Sequence, residues 1–432
     1  MLDRRQLLGS LGAPAAAIAA APVLRASRLA PVLERIAGTE GTPEEVARNE
    51  DYWREIQTAF TVDRSLVNLN NGGVSPAPRF AQDAVKRHLD FSNNIPAYSM
   101  WRVLDPQLEG VRRRLAREWK VDSEEIAMTR NASEGLQTCQ FGIDLAPGDE
   151  VVATDQDYPR MLNTFRQRER REGIVLRTFP IPTPAEDPAE IVRLYEEHLT
   201  DRTRIILVSH MINLTGQILP VKEIVALGRS RGIPVIVDGA HALAHFDFTL
   251  AELDCDYYAS SLHKWLFAPI GTGLLYVRRD RIAGLWPLMA ATEAQTDDIR
   301  KFEQIGTHSS AAHLAVAEAL TFSQGIGAKR KEARLKYLRD RWAQRLLASG
   351  RVRLNTSLAP GLACGIANVH VDGVSTSELQ THLWKNHQIY TIAIKHRDAD
   401  GLRVSPSVYT TLEEIDRFTE AVEDVMENGL PE

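Results

Sequence analysis

The middle of the chain alternates short apolar runs with amphipathic stretches. Apolar runs at residues 125–129, 150–154, 174–179 and 204–208 are followed by helical patterns starting at Ser133 and covering 159–172, 188–199 and 221–232. Further continuous apolar runs lie at 234–237 and 273–277. Strands that are apolar on both faces and separated by helices predict a mostly parallel α/β sheet, covered on both sides. Ligands of such sheets sit beyond the carboxyl ends of the strands. Polar motifs at those ends are therefore the first candidates for chemistry.

The flanks read differently. Residues 42–60 predict one amphipathic helix with Glu44 and Glu45 in its first turn. Residues 67–76 read as a strand end running into the Gly-rich turn Asn70-Asn71-Gly72-Gly73, with helices expected at 79–91 and 107–119. After Ser309 a helical pattern continues to about 349, broken near Gly325-Ile326-Gly327. The remainder mixes short strands at 366–371, 390–394 and 402–405 with two helices, each expected to open on a capping box, Ser375-x-x-Glu378 and Thr411-x-x-Glu414. The expected organisation is a large domain over 42–310 and a linker helix with a smaller α+β domain over 311–432.

Composition changes this picture little. A chain of 432 residues supports two domains and a large core. Its net charge of −6 gives no basic footprint for nucleic acid. The three cysteines, Cys139, Cys255 and Cys364, are widely spaced and suit buried, inert thiols. The N-terminus adds more. Arg4-Arg5 precedes a weakly apolar, alanine-rich run to Ala21, too short and too rich in small residues for a membrane span. Residues 1–25 look like a twin-arginine export signal, so a periplasmic mature chain without membrane insertion is expected.

Four motifs and one lysine carry the candidate chemistry. Lys264 lies between apolar residues in Ser261-Leu262-His263-Lys264-Trp265. Desolvation turns such a lysine into a neutral, nucleophilic amine able to form a Schiff base, although a surface loop lysine has the same local sequence. Arg130-Asn131-Ala132-Ser133 is a strand-to-helix turn whose free N–H groups and Ser133 hydroxyl suit a phosphate, or simply cap a helix. It matches no nucleotide-binding fingerprint. Asp238, in Val237-Asp238-Gly239-Ala240-His241, is a buried charge in need of a partner, and a protonated pyridine nitrogen is one. His241 is placed to donate to a ring oxygen; Asp-x-x-His as a metal site is the weaker reading. Asn213 could reach a ring hydroxyl, and Tyr158 puts an aromatic ring at a strand end, suited to stacking on a flat cofactor.

Together these motifs resemble the class V aminotransferase family of fold-type I pyridoxal-phosphate enzymes, in particular its isopenicillin-N epimerase-like branch. The likeness runs from about Asn68 to Thr307 and again over 402–414. It implies a mostly parallel seven-stranded-type sheet, pyridoxal 5'-phosphate as cofactor, and a homodimer. It implies that Lys264 forms the Schiff base with the cofactor and that Asp238 pairs with the pyridine nitrogen. Ser133, Ser261, His263 and the backbone at Ala132 would hold the phosphate, with Thr307 reaching that of the partner subunit. Tyr158 would stack on the ring, Asn213 and His241 would contact its oxygen, Arg403 would clamp a substrate carboxylate, and Asn71 would make a weaker substrate contact.

One departure matters. Cysteine desulfurases of this family carry a catalytic cysteine on the loop before that arginine, and residues 389–401 contain none. Desulfurase activity is therefore disfavoured, while epimerisation and transamination of a small or peptide-borne amino acid both stay open. The chain is also similar to periplasmic pyridoxal-phosphate enzymes that tailor a peptide siderophore. A non-catalytic binding protein that kept the fold is the remaining reading, and the joint presence of Lys264, Asp238 and Arg403 speaks against it.

Overall fold

The computed structural model describes residues 29–431; the Arg4-Arg5 pair and the rest of the expected export signal lie outside that range. Seven strands form the central sheet: β1 (Ile126–Thr129), β2 (Glu150–Thr154), β3 (Val175–Phe179), β4 (Thr203–Ser209), β5 (Val235–Asp238), β6 (Tyr257–Ser261) and β7 (Gly273–Val277). Their spatial order is β1-β7-β6-β5-β4-β2-β3, and only β7 runs against its neighbours. Helices cover both faces. One apolar cluster, including Val208, Val237 and Tyr258, packs on one face, and another, including Ile205, Ile236 and Ala259, packs on the other. Two-sided burial explains why these strands read as unbroken apolar runs.

The C-terminal sheet is antiparallel, built from β8 (Val352–Leu354), β9 (Ala367–Val371), β10 (Ile392–Ile394) and β11 (Gly401–Val404) in the order β10-β11-β9-β8. The helix Ala328–Leu347 leads into it, and Gly327, at φ +87°, breaks the preceding helix where the glycines predicted. The segment expected as one strand at 390–394 divides, because its two halves serve different partners. Ile389–Tyr390 pairs in parallel with Val67–Asn68, whereas Ile392–Ile394 joins β11.

Two local expectations need correction. Residues 42–60 form two helices, Pro43–Ala47 and Glu50–Gln57, because the Asn49 side chain accepts from the Tyr52 N–H and starts a new helix. The Thr411 capping box forms, but Ser375 makes no capping bond. At that helix start Thr376 donates to Asp400 at 3.0 Å, tying it to the loop before β11.

The Gly-rich turn links the two sheets to the lysine segment. Ser405 donates its N–H to Leu69, Asn71 returns one to Ser405, and Ser75 donates to the His263 carbonyl. The turn that sequence alone read as loop chemistry is a seam between β11 and the Lys264 segment.

Candidate active site

Three adjacent strand ends, and a fourth beyond the intervening β7, supply the site. β5 ends at Asp238, β4 at Ser209 and β6 at Ser261, while β1 feeds the helix Ala132–Gly142. Asn131, not Ser133, caps that helix, its side chain accepting from the Glu134 N–H at 2.9 Å. Ser261 crosses from β6 to take the Ala132 N–H at 2.9 Å, fixing the helix start against the lysine strand. Gly273 makes this approach possible, since a Cβ there would lie 2.6 Å from the Asn131 Cα. The strand ends enclose a cavity of about 310 Å³, lined among others by Ser133, Tyr158, Asn213, His241, Lys264 and Arg403.

Lys264 Nζ lies 3.1 Å from His241 Nε2 inside this cavity. Burial lowers the lysine to about 8, with Asp238 opposing and Arg403 reinforcing the shift. The same burial holds His241 well below its ordinary value, so it stays neutral and accepts from the amine. Asp238 is raised by burial, and the Ala240 N–H at 3.0 Å and the Lys264 charge only partly offset that. Arg403 is lowered to about 10 by burial yet remains a cation. Its Nη1 donates to the Asn213 carbonyl at 2.9 Å and its Nη2 to Asn70 Oδ1 at 2.8 Å. Three buried polar atoms here have no partner: Asn213 Oδ1, His241 Nδ1 and Arg403 Nε. Buried groups without partners are costly, so the pocket is built for a polar ligand.

The Aminotransferase class-V family matches residues 68–418. The chain belongs to that family. Isopenicillin N epimerases from Streptomyces clavuligerus and Amycolatopsis lactamdurans are 32% and 31% identical to it, each alignment covering 86% of this chain and 98% of the relative. A probable cysteine desulfurase from Pseudomonas aeruginosa is 26% identical over 87% of the chain and 98% of the relative. Among solved structures, the cysteine desulfurase CsdA from Escherichia coli shares the fold at a TM-score of 0.74 and 21% identity, covering 87% of this chain and 98% of its own. The fold is that of fold-type I pyridoxal-phosphate-dependent transferases, and pyridoxal 5'-phosphate is the cofactor.

The residues present suit that cofactor. The Ala132–Gly142 helix start and the Ser133 hydroxyl offer N–H and O–H donors to a phosphate. Asp238 offers a buried carboxylate to a pyridinium, and the unpartnered Nδ1 of His241 and Oδ1 of Asn213, both on cavity-lining residues, offer a donor for a ring oxygen and an acceptor for a ring hydroxyl. Ser261 and His263 line the same cavity, although the Ser261 Oγ already accepts from Ala132 and His263 Nδ1 lies 3.1 Å from the Thr272 carbonyl.

Two expected residues lie elsewhere. Asn71 does not line the cavity; its amide donates to the Asn68 and Ser405 carbonyls and accepts from the Tyr409 hydroxyl at 2.7 Å. Its neighbour Asn70 is the residue of that turn that accepts from Arg403. Thr307 is exposed and lines a different, larger cavity. The three cysteines are buried and free, and none lines the Lys264 cavity.

Sequence reasoning also missed Asp157. It is buried and accepts from the N–H and hydroxyl of both Thr154 and Ser209, clamping β2 to β4 beneath the site. Burial raises it to about 6 against those four hydrogen bonds, and the nearby Asp238 adds to the rise. Its position in Asp155-Gln156-Asp157-Tyr158 was the one available signal, and a second nearby aspartate concealed it.

Proposed function

We propose that the protein acts at the α-carbon of an amino-acid-type substrate and epimerises it. The observation that carries this reading is the Lys264–His241 pair, set in one cavity with Asp238 and Arg403. Bound pyridoxal phosphate supplies the electron sink that acidifies the α-C–H bond. Lys264, lowered to about 8, is partly neutral near pH 7 and takes or returns the α-proton at Nζ. His241 orients that amine through Nε2. Asp238 keeps the cofactor nitrogen protonated by offering it a carboxylate. Arg403, steadied by Asn213 and Asn70, receives the substrate carboxylate and fixes which bond faces Lys264.

A solvent-derived proton delivered to the opposite face of the α-carbon would give the epimer, whereas loss of the amino group to the cofactor, with a water consumed, would give a keto acid. Epimerisation is preferred because, at nearly the same coverage, the isopenicillin N epimerases are 32% and 31% identical to the chain and the probable cysteine desulfurase 26%. The absence of a cavity-lining cysteine supports placing desulfuration behind both. The test incubates holoprotein with D- and L-amino acids in deuterium oxide. Solvent deuterium at an inverted α-carbon is expected. Keto acid in its place overturns epimerisation in favour of transamination, and sulfur released from cysteine overturns both.

The Arg4-Arg5 sequence favours a second reading, an exported enzyme that tailors an amino-acid group of a peptide siderophore. Changing both arginines to lysine should then hold the protein in the cytoplasm, and unchanged export removes the argument. Thr307, exposed outside its own chain's cavity, is proposed to serve the site of a second copy. A sedimentation measurement showing a fully loaded monomer would remove that role.

A further inference from the structure

His245 stands in the turn after β5, one helical turn beyond His241, and is completely buried. Each side of its ring meets a different part of the chain. Nδ1 lies 2.7 Å from the His241 carbonyl oxygen. Nε2 lies 3.0 Å from the backbone nitrogen of Gly365, just before β9. One ring face stacks on the Trp265 indole, with centroids 3.6 Å apart and planes 12° from parallel. Trp265 directly follows Lys264, and its carbonyl accepts from the buried Lys331 Nζ at 3.2 Å.

These partners fix the ring's chemistry. An amide N–H only donates and a carbonyl only accepts, so Nε2 is bare and Nδ1 carries the proton. A protonated ring would set two N–H groups against each other at Gly365. Burial agrees, holding His245 at about 3, with Lys331, Arg339 and Lys336 of the helix Ala328–Leu347 adding to the shift. Glycine at 365 is required for the contact. A Cβ there would lie 2.9 Å from Leu335 Cβ and 3.0 Å from His245 Nε2.

What lies beyond Gly365 gives the link its meaning. β9 pairs with β11, and Asn368 stands opposite Arg403 in that register. The backbone that donates to His245 therefore leads directly into the sheet that carries Arg403. On the other side, His245 holds the carbonyl of the residue whose imidazole meets Lys264.

We infer that His245 is a positioning residue that joins the Arg403-bearing sheet to the His241–Lys264 pair, coupling the seat of the substrate carboxylate to the setting of the catalytic amine. This rests on the roles proposed above for Lys264 and Arg403. A residue that merely packs would, when changed, lower stability and nothing else.

Two variants separate the two hydrogen bonds. H245Q carries an acceptor at the Nε2 position and loses the donor to His241. H245N carries a donor near Nδ1 and loses the acceptor for Gly365. Two readouts follow each variant. The first is acetic anhydride labelling of Lys264 against pH in cofactor-free protein, where Asp238, Arg403, Arg160, Tyr158, His241 and His263 are the charged or titratable groups that share the amine's cavity. The second is the L-alanine concentration that half-saturates the change in the holoprotein's visible band.

H245Q should move the labelling midpoint from about 8 by about one pH unit, with half-saturation changed less than about threefold. H245N should raise half-saturation about tenfold and leave the midpoint in place. Wild-type values in both variants, or equal movement of both readouts in both, overturns the inference. The wild-type ring gives a check that needs no variant. Its ¹⁵N shifts should report Nδ1–H and bare Nε2 from pH 6 to 9, and the opposite tautomer or an imidazolium overturns it. Labelling and ¹⁵N shifts need no cofactor, so they judge His245 even if Lys264 proves not to bind one.

Discussion

Two cavities meet near the start of the Ala132–Gly142 helix, and the larger is the less reactive. The larger, of about 520 Å³, is lined by Arg112, Arg130 and Arg300 together with Glu109, Glu134 and Glu303. These charges satisfy one another. Arg112 reaches both oxygens of Glu303 at 2.5 and 3.0 Å, and also the Ile126 carbonyl at 2.5 Å. Arg300 is bidentate to Glu109 and to Glu124 and draws the Glu109 carboxyl down to about 2, helped by Arg112. Arg130 pairs with Glu134 at 2.7 Å. None of these side chains has a buried polar atom without a partner. The smaller cavity holds a lysine held below its ordinary value and three orphaned polar atoms. Residual demand for partners, and not volume or charge, marks where a ligand goes.

The sharpest way to break that contrast is to remove the demand in the smaller cavity. Lys264→Ala should cut turnover by at least about 10³-fold, since it deletes the proton-transfer group. After borohydride reduction, mass spectrometry should find the cofactor on the Lys264 peptide of the wild type and on no peptide of the variant. Turnover within tenfold of wild type would place the chemistry elsewhere.

In the larger cavity the same kind of deletion should act on folding. Arg112→Met strands Glu303 and takes the donor from the Ile126 carbonyl, while Glu109 keeps Arg300, and loss of about 3–5 kcal/mol in denaturant unfolding is expected. Cofactor affinity of the folded fraction should not change. Glu303 also accepts the Met128 N–H at 2.6 Å, within the strand that leads to Asn131. A tenfold fall in affinity at equal folded fraction would show that this cluster tunes the phosphate turn, and the contrast would fail.

The sequence made the smaller cavity legible and left the larger one hidden. Asp238, Lys264 and Ser133 lie at strand ends that apolar periodicity locates, so the fold rule for parallel sheets brings them together. Arg112 and Arg300 lie on a helix and a 3₁₀ turn far apart in sequence, with nothing local to announce their meeting. The same limit explains Asn71 and Asn70. Adjacent asparagines in a Gly-rich turn look alike, and only the pairing of that turn with Ser405 decides which one faces Arg403. His245 was hidden for a related reason, since its partners Gly365 and Trp265 come from other elements.

A smaller effect tests whether the reactive cavity is costly to the fold. Burial holds the Lys264 ammonium at about 8 in the folded chain, below the 10.5 of a free lysine. The folded state therefore binds fewer protons than the unfolded state between those two values. Stability of the cofactor-free protein should rise with pH through that window, the full penalty applying below about 8 and none above about 10.5. The shift corresponds to about 3 kcal/mol at most, less whatever cavity water screens. Lys264→Met removes the charge while keeping similar length, so at pH 7 it should stabilise the cofactor-free protein by up to that amount. Loss of the lysine's attraction for Asp238, whose carboxylate is already raised by burial, reduces the gain. The difference between variant and wild type should shrink as pH approaches 10.5. Urea unfolding at pH 7, 8.5 and 10 reads it directly. A variant that is less stable than wild type at pH 7, or a difference that does not change with pH, would mean that the lysine rests in its cavity without strain. The contrast with the paired charges around Arg112 would then be one of chemistry alone, with no energetic cost attached to the reactive site.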